Sequence, residues 1–118
     1  MTELGYHTAI QEHLADLAGL DEMVGPHELI CGWFDDLYFP AEEICPNNYP
    51  QETWDRGQRE WRDCFTAAEL KVLEEFHRIF NQHVNSLSQD WPHWRQDPLW
   101  LTVRDAARVA VERFRFAA

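Results

Sequence analysis

The sequence predicts an all-α fold, a single-domain bundle of about five helices that spans residues 1–118. Apolar residues recur with a period near 3.6 in every long segment, which is typical of helices that bury one side. No segment alternates with the period of two that favours a strand. A length of 118 residues suits one domain with one hydrophobic core.

The segment from Thr66 to Leu87 is the predicted central helix. One of its faces carries Leu70, Leu73, Phe76, Phe80, Val84 and Leu87. Val72 and Ile79 widen this apolar arc, so the helix needs more than one neighbour. Thr66 and Glu69 have the spacing of a capping box, in which each side chain bonds the backbone N–H of the other residue.

Two helices are predicted before residue 40. The first runs from about Glu3 to Ala18, and its apolar face carries Tyr6, Ile10, Leu14 and Leu17. The second begins at Pro26 and runs to about Phe39, because proline at a first helical position gives up an N–H that would be unpaired anyway. Its apolar side carries Leu29, Ile30, Trp33, Phe34, Leu37 and Tyr38.

The opposite stripe of the second helix holds Glu28, Gly32, Asp35 and Asp36. Carboxylates therefore surround a residue without a side chain. We expect this to be a place where another group can approach the backbone closely.

The remaining segments follow the same logic. Residues 40–50 contain three prolines and are predicted to form an ordered surface loop. A helix follows over residues 51–65, with a narrow stripe of Trp54, Gln58, Trp61 and Phe65. Residues 88–97 are a connection or a single turn, and Asp97 followed by Pro98 marks the start of a last helix that runs to about Phe116. Its outer side aligns Arg104, Arg108 and Arg115.

Charge is distributed unevenly along the chain. The net charge is −11, yet residues 1–55 hold 12 acidic residues and no lysine or arginine, whereas residues 56–118 hold 10 basic and 9 acidic residues. This balance disfavours nucleic acid and anionic membranes as partners, because phosphate contacts need lysine and arginine. It favours a basic protein as the partner.

Sequence composition also indicates the cellular compartment. No run of about 18 apolar residues is present, and the N-terminus lacks the basic and apolar regions of a signal peptide, so we expect a cytoplasmic protein. The three cysteines, Cys31, Cys45 and Cys64, form no CxxC pair, which fits a reduced compartment.

No catalytic, metal or cofactor site is predicted. Glu74 and His77 form a single ExxH motif, whereas bundles with two metal ions use this motif in pairs. His77 lies at the edge of the apolar face, which favours a structural histidine. No signature of a nucleophile surrounds any cysteine, and Asp35 and Asp36 diverge by about 100° on a helix, so a solvated acidic face explains them better than acid–base catalysis.

The predicted function is non-enzymatic binding of a basic protein partner. Aromatic residues among carboxylates are typical of interface hot spots, and residues 28–43 combine both. The predicted partner-binding residues are Glu28, Trp33, Asp35, Asp36, Phe39, Glu42 and Glu43.

In size, acidity and helical character the chain resembles small proteins that neutralise basic toxins, such as nuclease immunity proteins. The likeness is one of gross properties, and it implies an inhibitor or immunity-like module. Two alternatives stay open. One is a homodimeric structural module, in which the arginine stripe of the last helix neutralises the acidic half, and the other is a metal-dependent carboxylate and histidine bundle enzyme.

Overall fold

The computed structural model describes residues 3–20, 24–38, 51–89 and 93–117. Within these ranges the chain is helical and contains no strand, so the all-α prediction of about five helices is confirmed. The helices are α1 (Glu3–Gly19), α2 (Pro26–Cys31), α3 (Gln51–Arg62), α4 (Ala67–His83) and α5 (Pro98–Ala117). Short 3-10 turns cover Val84–Ser86 and His93–Gln96. The predicted loop over residues 40–50 lies outside the described ranges.

The predicted capping box starts α4. The Thr66 hydroxyl accepts from the backbone N–H of Glu69 at 3.1 Å, and the Glu69 carboxylate accepts from the backbone N–H of Thr66 at 2.8 Å. The other carboxylate oxygen of Glu69, Oε2, accepts from His7 Nε2 at 2.6 Å, although Glu69 is buried. The start of α4 is thereby joined to the first turns of α1.

α5 is the helix that packs against both α1 and α4. Its buried face carries Trp100, Val103, Ala107, Ala110 and Phe114. The small side chains of Ala107 and Ala110 leave room for a close helix approach. On the α1 side of the core, Ile10, Leu14 and Leu17 are fully buried. The predicted apolar faces of these helices are therefore the faces that meet.

The end of α1 is held by arginines from distant parts of the chain. Leu20 takes a left-handed conformation, with φ 49°, that ends the helix. Arg108 donates from Nε to the carbonyl of Ala18 at 3.0 Å, and Arg95 donates from Nε to the carbonyl of Leu20 at 3.2 Å. Cations suit this position because the C-terminus of a helix carries partial negative charge. Arg108 thus serves a helix end rather than an acidic side chain of the first half.

The second predicted helix changes geometry halfway. α2 continues as a π-helical turn over Gly32–Leu37, which closes with the N–H of Tyr38 bonded to the carbonyl of Trp33 at 2.8 Å. This wider turn differs from the regular helix that the sequence predicts. The side chains of Trp33, Phe34, Leu37 and Tyr38 all enter the core from it.

α3 is anchored near its C-terminal end. Trp61 is buried, donates from Nε1 to the carbonyl of Leu37 at 2.7 Å, and packs edge-on against Tyr38 with ring centroids 5.4 Å apart. Phe65, just after the helix, lies 4.8 Å from the Trp61 ring. None of the helices in the described ranges is long and apolar enough to cross a membrane.

Candidate partner-binding face

Three of the predicted partner-binding residues share the outer side of α2 and its π-helical turn. Glu28, Asp35 and Asp36 are exposed there, whereas Leu29 and Trp33 on the opposite side are buried. Glu28 lies in the first turn of α2, where the helix dipole favours a carboxylate. The three carboxylates are therefore presented to solvent by a helix whose other side is fixed in the core.

Trp33 requires a correction. Its side chain is 0% exposed, so it cannot contact a partner as the sequence analysis predicts. It stacks on Tyr38 with ring centroids 5.2 Å apart and meets Phe76 edge-on at 5.0 Å. Its Nε1 donates to Nδ1 of His77 at 3.1 Å. Trp33 supports the face from behind instead of forming part of it.

The same hydrogen bond defines the state of His77. Because Nδ1 accepts a hydrogen bond from the Trp33 N–H, it carries no proton of its own, and the neutral ring has its proton on Nε2. The ring also stacks on Tyr38, with centroids 4.2 Å apart. These contacts give His77 a structural role, while Glu74 of the same ExxH motif is exposed. In the parts of the chain that the structure describes, no three His, Cys, Asp or Glu residues are placed to hold a metal ion.

A side chain approaches the backbone of Gly32 closely, as its sequence context predicts. That side chain belongs to α1 of the same chain and not to a partner. A Cβ atom built at Gly32 would lie 2.7 Å from Cε1 of His13. His13 also donates from Nε2 to the carbonyl of Leu29 at 2.9 Å. With φ −57° and ψ −44°, Gly32 has an ordinary helical conformation. Glycine is required here for space, and the notch is filled by His13 rather than left open to a partner.

The carboxylates around this crossing act on two titratable groups. Burial lowers the pKa of His13 below its ordinary value of 6.5, while Asp16 and Asp36 raise it. Burial raises the pKa of the Cys31 thiol, and Asp35 and Asp36 raise it further. Asp16, Asp35 and Asp36 therefore contribute to one region of negative potential. We call Asp16, Glu28, Asp35 and Asp36 the acidic face.

Asp16 is the member of this face that the sequence analysis missed. It belongs to α1, where the sequence pattern places it on the polar side with no link to Asp36. The contacts of His13 with Gly32 and with the carbonyl of Leu29 bring the two helices together. No local sequence signal marks this crossing.

Cys31 and His27 form a thiol and imidazole pair on the outer side of α2. The distance from Cys31 Sγ to His27 Nε2 is 3.5 Å. A nucleophilic cysteine needs a lowered pKa, usually from a cation or a helix N-terminus. At Cys31 the pKa is raised by burial and by the neighbouring carboxylates. The pair therefore lacks the electrostatics of an activated thiol.

We expect stability to decrease as pH falls below about 6.5, in part because of His13. The pKa of this ring is lowered in the folded protein, so the unfolded chain takes up the proton first and unfolding is favoured in acid. Chemical denaturation from about pH 8 to about pH 5 measures the slope. His13→Gln should flatten it, whereas the exposed His93→Gln is the control. An equal slope in wild type and His13→Gln would contradict the prediction.

Phe39, Glu42 and Glu43, the other predicted partner-binding residues, lie outside the described ranges.

Comparison with known proteins found no significant match to a family model, to a curated protein or to a solved structure. The roles assigned above rest on the geometry of the chain itself.

Proposed function

We propose that the chain is a non-enzymatic binding module and that its acidic face docks a basic protein partner. The observation that carries this proposal is the exposure of Glu28, Asp35 and Asp36 on a helix whose inner side is anchored by Trp33. A charged surface on a rigid support loses little conformational entropy when it binds. Burial is the main cause of the raised pKa of Cys31, and the further contribution of Asp35 and Asp36 agrees with a negative potential at this surface.

The charge distribution supports a partner of opposite sign. Residues 1–55 contain no lysine or arginine, so no cation of that segment offsets the acidic face. Three of the four arginines of α5 have other contacts, since Arg108 caps α1, Arg104 pairs with Asp105 and Arg113 pairs with Glu75. A surface with an excess of negative charge raises the rate of encounter with a basic protein.

An inhibitor or immunity-like role is the form of binding that this arrangement supports best. Such a protein needs a stable acidic surface that covers the basic site of its target, and it needs no chemistry of its own. The unactivated Cys31 and the structural role of His77 agree with that requirement. The proposed function therefore depends on the surface charge and requires no reactive side chain.

Reversal of Asp35 and Asp36 to lysine is expected to slow association with the partner by about tenfold or more at low salt, because charge steering acts mainly on the association rate. The partner is first captured from the source cell on the immobilised wild-type protein, eluted with salt and identified. Stopped-flow mixing of the purified pair then gives association rates. The wild-type rate should fall as ionic strength rises past 0.15 M, where the Debye length is about 8 Å.

The matched control reverses Glu60 and Asp63, which are exposed on and just after α3 and change the net charge by the same amount. This variant should bind nearly as fast as wild type, and both variants should keep the helical circular dichroism spectrum. Equal rates for all three proteins would refute the acidic face as the binding surface. A wild-type dimer that the double reversal at Asp35 and Asp36 dissociates would instead favour the homodimeric alternative.

A further inference from the structure

A second surface lies on the other pair of long helices. α4 and α5 border an open groove with a volume of about 350 Å³. The floor of the groove is apolar and consists of Val72, Phe76, Ile79, Ala106, Val109 and Ala110. Val109 is 54% exposed, which makes it the most open large apolar side chain among those whose burial the structure describes. Exposed apolar surface with a polar rim is typical of protein interaction sites.

The rim of this groove carries two charges of each sign. At one end, Arg113 of α5 hydrogen bonds to Glu75 of α4 and lowers the pKa of that carboxyl. Arg78 of α4 and Asp105 of α5 also line the groove. These four side chains have no net charge together, which contrasts with the acidic face.

The directions of α4 and α5 determine the positions of the four rim charges along the groove. Residue 75 of α4 meets residue 113 of α5, and farther along α4 the ring of Phe80 lies 6.3 Å from that of Trp100, so the helices run antiparallel. Arg78 is displaced along α4 from Glu75 by about 4.5 Å, and Asp105 is displaced along α5 from Arg113 by about 12 Å. Both displacements point to the same end of the groove. At one end of the groove the negative residue is on α4 and the positive residue is on α5. Toward the other end the positive residue is on α4 and the negative residue is on α5.

We propose that this groove is the contact surface between two copies of the chain. In a two-fold dimer a surface meets itself, so each charge must face the opposite charge of the second copy. A two-fold axis across the groove places Glu75 opposite Arg78 of the second copy and Asp105 opposite Arg113 of the second copy. An axis along the groove places Glu75 opposite Arg113 of the second copy and Arg78 opposite Asp105 of the second copy. The alternating pattern thus matches both two-fold arrangements in the sign of the facing charges, and the long side chains of Arg78 and Arg113 must span the difference of about 7.5 Å between the two displacements.

The same pattern disfavours other occupants. A strongly basic partner would meet Arg78 and Arg113, and a strongly acidic partner would meet Glu75 and Asp105, with like charges facing each other in either case. The second copy avoids both conflicts and also covers Val109 with an apolar surface. The groove shares no residue with the acidic face, so this inference does not depend on the proposed function.

The first test is the mass of the protein in solution as a function of concentration, by sedimentation equilibrium. Wild type should change from monomer to dimer as concentration rises. Val109→Asp should remain monomeric with unchanged helicity, because the residue is exposed and a charge at the centre of the groove opposes its burial. Asn85→Asp, an exposed change outside the groove with the same change of charge, should dimerise like wild type. A wild type that stays monomeric, or a Val109→Asp protein that still dimerises, overturns the proposal.

The second test is decisive for self-complementarity. One variant combines Glu75→Arg with Asp105→Arg and has an all-basic groove, and another combines Arg78→Glu with Arg113→Glu and has an all-acidic groove. Each should be monomeric alone because like charges then face each other. A mixture of the two should form a dimer that contains one copy of each, as native mass spectrometry would detect. Separate monomers in the mixture would overturn the groove as the interface.

Discussion

Replacement of Trp33 by alanine is expected to lower the free energy of unfolding by about 3 to 5 kcal/mol. The side chain is 0% exposed and contacts the rings of Tyr38 and Phe76, so its removal leaves a cavity between the π-helical turn and α4. It also deprives His77 of the N–H that its Nδ1 accepts. Urea denaturation followed by circular dichroism measures the loss.

A companion variant separates the two contributions. Trp33→Phe keeps an aromatic ring in the same place and removes the N–H donor, which leaves a buried acceptor on His77 at a cost of about 1 to 3 kcal/mol. The alanine variant should therefore be less stable than the phenylalanine variant. If Trp33→Ala costs less than about 1 kcal/mol, Trp33 is not part of the core, and its prediction as a contact residue regains force.

Truncation of the α4 core is the other change with a large expected effect. Phe80→Ala should cost about 3 to 5 kcal/mol and Leu73→Ala about 2 to 5 kcal/mol. Both side chains are 0% exposed, and Phe80 touches Phe34, Phe76 and Trp100. Chemical denaturation with an unchanged m-value would report this loss as a pure stability effect.

The control for this pair lies on the same helix. Glu74 is exposed on α4, and alanine has a higher helix propensity than glutamate, so Glu74→Ala should change stability by no more than about 0.5 kcal/mol. Losses below about 1 kcal/mol for both Leu73→Ala and Phe80→Ala would show that α4 does not carry the core.

Local features of the fold were predictable because their causes lie within a few residues of one another. Thr66 and Glu69 start α4 through contacts three residues apart, and Pro98 starts α5 as its sequence context predicts. The apolar periodicity of α1, α4 and α5 identifies the faces that are buried. Trp33 is a residue for which the local apolar pattern was the better guide. Its position among Leu29, Ile30 and Leu37 already placed it on the apolar side, and that pattern outweighs its resemblance to an interface hot spot.

The rest of the candidate site depends on contacts between residues far apart in sequence. Asp16 joins the acidic face because α1 and α2 cross at His13, and no periodicity specifies a crossing point. Arg95 and Arg108 bond carbonyl groups of Leu20 and Ala18, contacts that span most of the chain. The π-helical turn after Cys31 escapes prediction for a related reason, since the apolar pattern of residues 33–38 fits a regular helix as well.

The contact between Gly32 and His13 constrains how these two positions can change during evolution. The backbone at Gly32 would accept any L-residue except proline, and the His13 ring, 2.7 Å from a Cβ atom, opposes a side chain. A lineage can therefore gain a side chain at position 32 only if the ring at position 13 is lost or turns aside, or if the two helices move apart. Among chains that keep this crossing, the two positions should change together, and an alignment of such chains would identify α1 and α2 as neighbours without any structure.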